Sequence, residues 1–233
     1  MLALLALLLS PSMAAEPSIK VLAAEFPPLT TNAGGQPGGV VLEVVREACR
    51  RAGVAIEFSF LPWQRAQLEA QSRNDVLIIP FTRTPGREAQ YQWVAPVLEF
   101  HTVLVTLAKP PSSIEEARSL VVGYVRGTSF KDEVDQVGFP RFEETNDDVT
   151  NARKLKLGRI DAWITTDLMA HGVYRQAGFD PAELKYGPNL GPVKVSWVAA
   201  SHEFPKETAK KIADAIGQMR ADGSYQAIVK RYR

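Results

Sequence analysis

Asp75-Val-Leu-Ile-Ile-Pro80-Phe-Thr82-Arg-Thr84-Pro-Gly-Arg87 is the stretch whose reading decides the fold. Val76–Ile79 is an apolar run of strand length, and Pro80, which has no N–H for a sheet ladder, reads as the strand's exit. The residues beyond it are polar and cationic. Thr82, Thr84 and Arg87 then stand past the carboxyl end of a buried strand, where open α/β sheets place their ligands. The planar fork of Arg87 matches a carboxylate, and Thr82 adds a hydroxyl beside it.

Outward toward the N-terminus, Ile19–Ala24 reads as a short strand that runs into Glu25-Phe26-Pro27-Pro28-Leu29, where consecutive prolines stop regular structure. A helix over 40–51 carries the stripe Val41, Val44, Val45, Ala48 and Cys49 at helical spacing. Val54, Ile56, Phe58 and Phe60 alternate as a strand, and the turn Leu61-Pro62-Trp63-Gln64-Arg65 opens a helix to about Gln71. These strand–helix units imply a largely parallel sheet.

Outward toward the C-terminus, Phe100–Ala108 reads as a long strand and the first crossing to a second lobe. Ser112 with Glu115, or Ser113 with Glu116, has capping-box spacing. The strand Leu120–Val125 then meets Arg126-Gly127-Thr128-Ser129-Phe130, a glycine and hydroxyl turn at a helix start, suited to a carboxylate. Thr128 and Ser129 are binding candidates there, and either also suits a helix N-cap. A strand ending near Phe142–Asp148 precedes a helix to Leu157, after which Gly158–Asp167 runs from glycine through a strand to a polar tip, with a helix from Leu168 to Gln176. Leu184-Lys-Tyr186-Gly-Pro188 and Gly191-Pro192 mark the second crossing, Val193, Val195 and Trp197 the returning strand, and Ile212, Ala215, Ile216 and Met219 the packing stripe of a long helix opened by Pro205.

The chain has 233 residues, 45% hydrophobic and 23% charged, ordinary for a folded α/β protein. With 27 Lys+Arg against 26 Asp+Glu the net charge is +1, so nothing in the overall charge attracts nucleic acid or an anionic membrane. Residues 2–9 are Leu and Ala, followed by small residues to Ala15, which reads as a cleaved export leader over 1–15. Cys49 is the single cysteine and excludes an internal disulfide; its place on an apolar stripe makes it a small core residue. His101, His171 and His202 lack metal-ligand spacing, and no phosphate loop or nucleophile elbow is present. No cofactor or metal is expected.

Several of these segments together resemble the family 3 extracellular solute-binding proteins of ABC importers. The likeness rests on the Asp75 strand with Thr84-Pro-Gly-Arg87 and Tyr91-Gln-Trp93-Val-Ala-Pro96-Val, on Gly158-Arg-Ile160-Asp161-Ala162, and on the closing Asp222-Gly223-Ser224 between two helices. It spans Ile19 to Tyr232. The resemblance implies a two-lobe type II periplasmic binding fold, lobe 1 being 16–100 with 193–233 and lobe 2 being 101–192. It implies a monomer in the periplasm that holds a small carboxylate, an amino acid or a related compound, and delivers it to ABC permease subunits.

By the same resemblance Arg87 clamps the carboxylate, Phe26 and Trp63 present aromatic faces, with Arg65 a weaker candidate, and Thr128 and Ser129 complete the clamp. An acidic residue at the end of the Gly158–Asp167 strand pairs with a ligand ammonium. The ungapped position falls on Thr166, with Asp167 one place later, where it also suits an N-cap. Periplasmic cyclohexadienyl dehydratases share the scaffold, and Glu25 or Asp167 is the candidate acid–base group of that alternative; a sensor docking on a receptor is another.

Overall fold

Two five-stranded sheets carry the molecule, and the computed structural model describes residues 18–232 of it. The leader expected over 1–15 lies outside the described residues. In chain order come β1 (Ile19–Ala23), a hairpin of β2 (Thr31–Ala33) and β3 (Gln36–Gly38), α1 (Val40–Ala52), β4 (Ile56–Phe60), α2 (Trp63–Ser72), β5 (Val76–Thr82) and β6 (Tyr91–Phe100). Next are β7 (Thr102–Thr106), α3 (Ile114–Ala117), β8 (Val122–Val125), α4 (Phe130–Val137), β9 (Phe142–Thr145), α5 (Asp148–Lys156), β10 (Ala162–Thr166), α6 (Ala170–Gln176) and β11 (Lys185–Asn189). The last elements are β12 (Lys194–Ser201), α7 (Lys206–Ala221) and α8 (Ser224–Lys230).

The first sheet has the order β4-β1-β5-β12-β6 and the second β11-β7-β10-β8-β9. In the first, β4, β1 and β5 are parallel, as the strand–helix alternation requires, and β12 runs antiparallel to β5 and β6. In the second, β9, β8 and β10 are parallel, with β7 antiparallel to β10 and β11. The chain leaves the first sheet between Phe100 and Thr102 and returns to it between Asn189 and Lys194.

Helix α1 forms because its apolar residues share one face: Val41, Val44, Val45, Ala48 and Cys49 are fully buried. Gly53 ends it at φ 68°, a left-handed cap that glycine adopts without strain. Burial pushes the Cys49 thiol up to about 12, which leaves it inert. Helix α7 meets α1 through Ile212, Ala215, Ile216 and Met219, all buried. In the second sheet the neighbours Trp163 and Ile164 enter two different apolar clusters, since successive strand side chains take opposite faces.

Several boundaries differ from expectation. β5 does not stop at Pro80 but runs to Thr82. β1 pairs with β5 only as far as Ile78, and the register with β12 slips between the Ile78 and Phe81 pairings, so no ladder bond is asked of the proline. The expected long strand from Phe100 to Ala108 is broken at His101, the point of transfer between sheets. The helix expected from Leu168 begins only at Ala170. Leu184–Pro188, expected in the second crossing, instead supplies most of β11, whose pairing with β7 keeps it in the second sheet and leaves the crossing to 190–193.

Candidate functional site

The strands deliver their carboxyl ends to one cavity between the sheets. Its walls from the first sheet and its connections are Phe26, Leu29, Trp63, Pro80, Thr82, Arg87, Phe100 and Ser196; from the second they are Thr128, Ser129, Phe130, Thr166 and Met169. Seven residues singled out in the sequence thus meet there: Phe26, Trp63, Thr82, Arg87, Thr128, Ser129 and Thr166. The space between them is about 50 Å³, room for a few waters where one needs roughly 10–15 Å³ in this measure. A neighbouring chamber of about 330 Å³ lies beyond Phe26 and Trp63, which form the wall common to both.

Arg87 sits in a short 3₁₀ turn just past β5, with its guanidinium carbon 4.3 Å from the centre of the Phe81 ring. Nη1 donates to the Thr82 carbonyl at 2.9 Å; Nη2 donates to the Gly127 carbonyl at 2.7 Å and to Gln67 Oε1 at 3.2 Å. All three acceptors are neutral. Desolvation draws the guanidinium below its ordinary pKa, and the carboxylate of Asp132 opposes this only through space. Among the described residues no carboxylate forms an ion pair with it. A guanidinium withdrawn from water without a countercharge is costly to maintain.

Aromatic rings brace this cation. Trp63 meets Phe26 edge-on at 5.2 Å and Phe81 at 5.6 Å, and Phe81 meets Tyr91 at 4.6 Å. Phe26 and Trp63 are both buried, so each packs the lobe and faces the cavity at once.

Opposite lies the turn after β8. Gly127 has φ 75°, and a Cβ there would stand 3.0 Å from Gln64 Cγ and from Gln67 Nε2, so glycine permits the close approach of this turn to α2. Gln67 Nε2 also donates to the Gly127 carbonyl at 3.0 Å, joining the two halves of the site a second time. The Thr128 hydroxyl donates to the Val125 carbonyl at 2.6 Å, and Ser129, next to α4, makes no side-chain cap hydrogen bond.

Asp167 is not brought to this cavity. Its carboxylate accepts from the His101 backbone N–H at 3.1 Å and lies 3.2 Å from His101 Nδ1, tying the end of β10 to the passage between sheets. It does not cap α6 either: the Thr166 hydroxyl accepts from Met169 N at 3.1 Å instead. One step along a strand turns a side chain to the other face, which separates Thr166 from Asp167. Glu25 lines the neighbouring chamber, accepting from Asn32 N at 3.2 Å and Gln176 Nε2 at 3.4 Å. Arg65 is exposed on α2 and lines no part of the cavity.

Sequence reading missed Ser196 and Gln67. Ser196 is buried, pairs across strands with Thr82, and its hydroxyl has no hydrogen-bond partner. Its signal was faint: a hydroxyl among the small and apolar residues of a returning strand. A larger groove of about 590 Å³ runs beside Pro96, Val97, Trp197 and Tyr225, but its one cation, Arg220, already donates to the Pro96 carbonyl at 2.9 Å. No group of acids, histidines or cysteines suited to a metal, and no helix long and apolar enough to cross a membrane, occurs among the described residues.

The family model described as bacterial extracellular solute-binding proteins, family 3, matches residues 19–233. Among curated proteins no sequence matches. Among solved structures, the arginine-, lysine-, histidine-binding protein ArtJ from the thermophilic bacterium Geobacillus stearothermophilus superposes with a TM-score of 0.82 at 18% identity, over 93% of this chain and 95% of that one. An ancestral arginine-binding protein bound to arginine gives 0.82 at 22%, over 92% and 97%. A histidine kinase sensor domain with similarity to periplasmic binding proteins gives 0.84 at 17%, over 92% and 95%.

Proposed function

Because this chain belongs to the bacterial extracellular solute-binding proteins, family 3, with the two-lobe type II periplasmic binding fold, we propose that it captures a small carboxylate-bearing molecule between its lobes. The observation that carries this reading is the desolvated Arg87 guanidinium, held by neutral acceptors alone at the wall of a cavity between the two sheets. An anion supplies the missing countercharge. A carboxylate is a stronger acceptor than a peptide carbonyl, so it displaces Gly127 from Nη2. Thr82 and Ser196 face it from lobe 1; Thr128, Ser129 and Thr166 face it from lobe 2; Phe26 and Trp63 cover its body.

Capture requires motion, since the space between the two walls, about 50 Å³, holds little more than water. We assign lobe 1 to 16–100 with 193–233 and lobe 2 to 101–192, with the passages at His101 and at 190–193 as the hinge. Only the closed form lets both lobes touch the ligand, so the ligand selects closure by differential affinity. On this reading the chain is an exported, monomeric carrier in the periplasm that presents the closed form to the permease subunits of an ABC importer; the family's description as extracellular solute-binding proteins supports the export. The same closed form could instead dock on a receptor; crosslinking in cells, with identification of the partner, separates import from sensing.

Catalysis stands outside this reading. A dehydratase reading needs a general acid or base in reach of the ligand, and its two candidates, Glu25 and Asp167, are not among the residues lining the cavity. Mass spectrometry of the native protein before and after denaturation is expected to release a carboxylate-bearing small molecule. Arg87→Ala is expected to weaken that ligand by at least about 100-fold, the usual cost of removing one member of a desolvated charge pair. Binding at wild-type affinity in the variant would overturn the proposal.

A further inference from the structure

Resting on the carboxylate reading, we infer that the ligand is a monoanionic carboxylic acid with an apolar or aromatic body and no amino group beside its carboxylate. The walls of the cavity hold one formal charge, that of Arg87. A bound monoanion makes the closed site neutral. An α-amino acid, being a zwitterion, leaves it with one uncompensated positive charge, and an ammonium needs acceptors for three N–H groups.

The position from which an acid could serve that ammonium is occupied otherwise. Thr166, at the end of β10, is the residue that reaches the cavity, and its hydroxyl oxygen already receives Met169 N. Asp167, the next residue, is committed to the His101 backbone and ring. The acids of the outer chamber, Glu25 and Asp147, lie beyond Phe26 and Trp63, and Asp147 is engaged in capping α5 through Thr150 N at 2.7 Å. An α-ammonium sits beside its own carboxylate, so holding the carboxylate at Arg87 and the ammonium in that chamber would require the ligand to pass the wall of Phe26 and Trp63.

The rest of the wall is apolar: Phe26, Leu29, Trp63, Pro80, Phe100, Phe130 and Met169. Such a surface suits an alkyl or aryl body. The hydroxyls of Ser129 and Ser196 can donate to carboxylate oxygens or to a keto or ether oxygen on that body, whereas neither brings negative charge.

Calorimetric titration of the full chain with matched pairs tests this: 3-phenylpropanoate against phenylalanine, 4-methylpentanoate against leucine, and the corresponding 2-oxo acids, with 3-phenylpropanamide as the uncharged control. The acids without the amino group are expected to bind at least about 100-fold tighter than their amino counterparts, the factor set by an unpaired desolvated charge. Thr166→Asp is expected to narrow that preference at least tenfold, by supplying the acid the cavity lacks. An amino acid that binds as well as its partner, with the amide silent, overturns this inference and leaves carboxylate capture standing. Failure of every carboxylate in the panel, or equal binding of the amide, removes the capture reading and this one with it.

Discussion

Lobe 1 and lobe 2 each withdraw a charge-bearing group from water without a countercharge in contact, and they resolve the problem differently. In lobe 1 it is Arg87, whose three acceptors are all neutral. In lobe 2 it is Asp148, one oxygen accepting from Trp163 Nε1 at 2.8 Å while the other has no partner. Burial raises the Asp148 carboxyl from its ordinary 3.8 to about 7, with the Trp163 bond opposing and Asp147 adding to the rise. A carboxyl can shed its charge by binding a proton; a guanidinium cannot discharge itself at any ordinary pH. The acid is therefore a matter for the lobe's own stability, and the cation one for a ligand.

The largest effect that sharpens this contrast is the pH dependence of folding. Because the folded-state pKa of Asp148 lies above the unfolded one, the native form binds more protons between about pH 4 and pH 7, and stability falls as pH rises through that window, flattening above it. The full shift is worth roughly 4 kcal/mol. Asp148→Asn is expected to flatten this portion of the stability curve, as read by urea denaturation at several pH values, while ligand affinity at fixed pH stays within about twofold. An unchanged slope would mean that Asp148 is ionised and compensated in the fold, and the contrast with Arg87 would collapse.

Ser196 is a smaller lever on the same idea. Its buried hydroxyl lacks a partner and lines the same cavity as the cation, so it belongs with Arg87 among groups awaiting a ligand. Ser196→Ala is expected to leave stability unchanged or raise it by up to about 1 kcal/mol, and to weaken binding about 5- to 10-fold, the worth of one hydrogen bond. Thermal melts and titration of the same preparation read both. A loss of stability above about 2 kcal/mol would show that the hydroxyl is satisfied within the fold.

Why Arg87 was legible and Ser196 was not is a question of range. The β5 stretch states its own end: an apolar run, then hydroxyls and an arginine, and the cavity forms where parallel strands finish. Trp63, Phe26 and the Thr128–Ser129 turn obey the same rule, each standing just past a strand. Ser196 lies within a strand, and its inward direction depends on partners. Val193, Val195 and Trp197 alternate with Lys194 and Ser196, yet Val193 is exposed, Val195 and Trp197 are half-buried, and Ser196 and Val198 are buried. β12 lies between β5 and β6 with irregular register on both sides, and Arg83 occupies the face of Trp197 at 5.1 Å. Pro80 misled for a related reason: proline ends a strand only where the ladder calls for its N–H.

Asp167 is the paired counterpart that tests the contrast from the other side, and its effect is expected to be the smallest. Nothing local in the sequence announced His101, which lies 66 residues away. Asp167→Asn keeps an oxygen to accept from the His101 N–H and loses only the charge. Both side chains are about two-fifths exposed, at 38% for Asp167 and 41% for His101, so solvent screens the pair and the expected stability change is below about 1 kcal/mol. Affinity for a carboxylate ligand is expected to stay within about twofold, because the acid faces the passage between sheets and a charge that already has a partner makes no demand on the cavity. A tenfold or greater loss of affinity on titration would place this carboxylate in the binding site after all, and would return the amino group to the ligand.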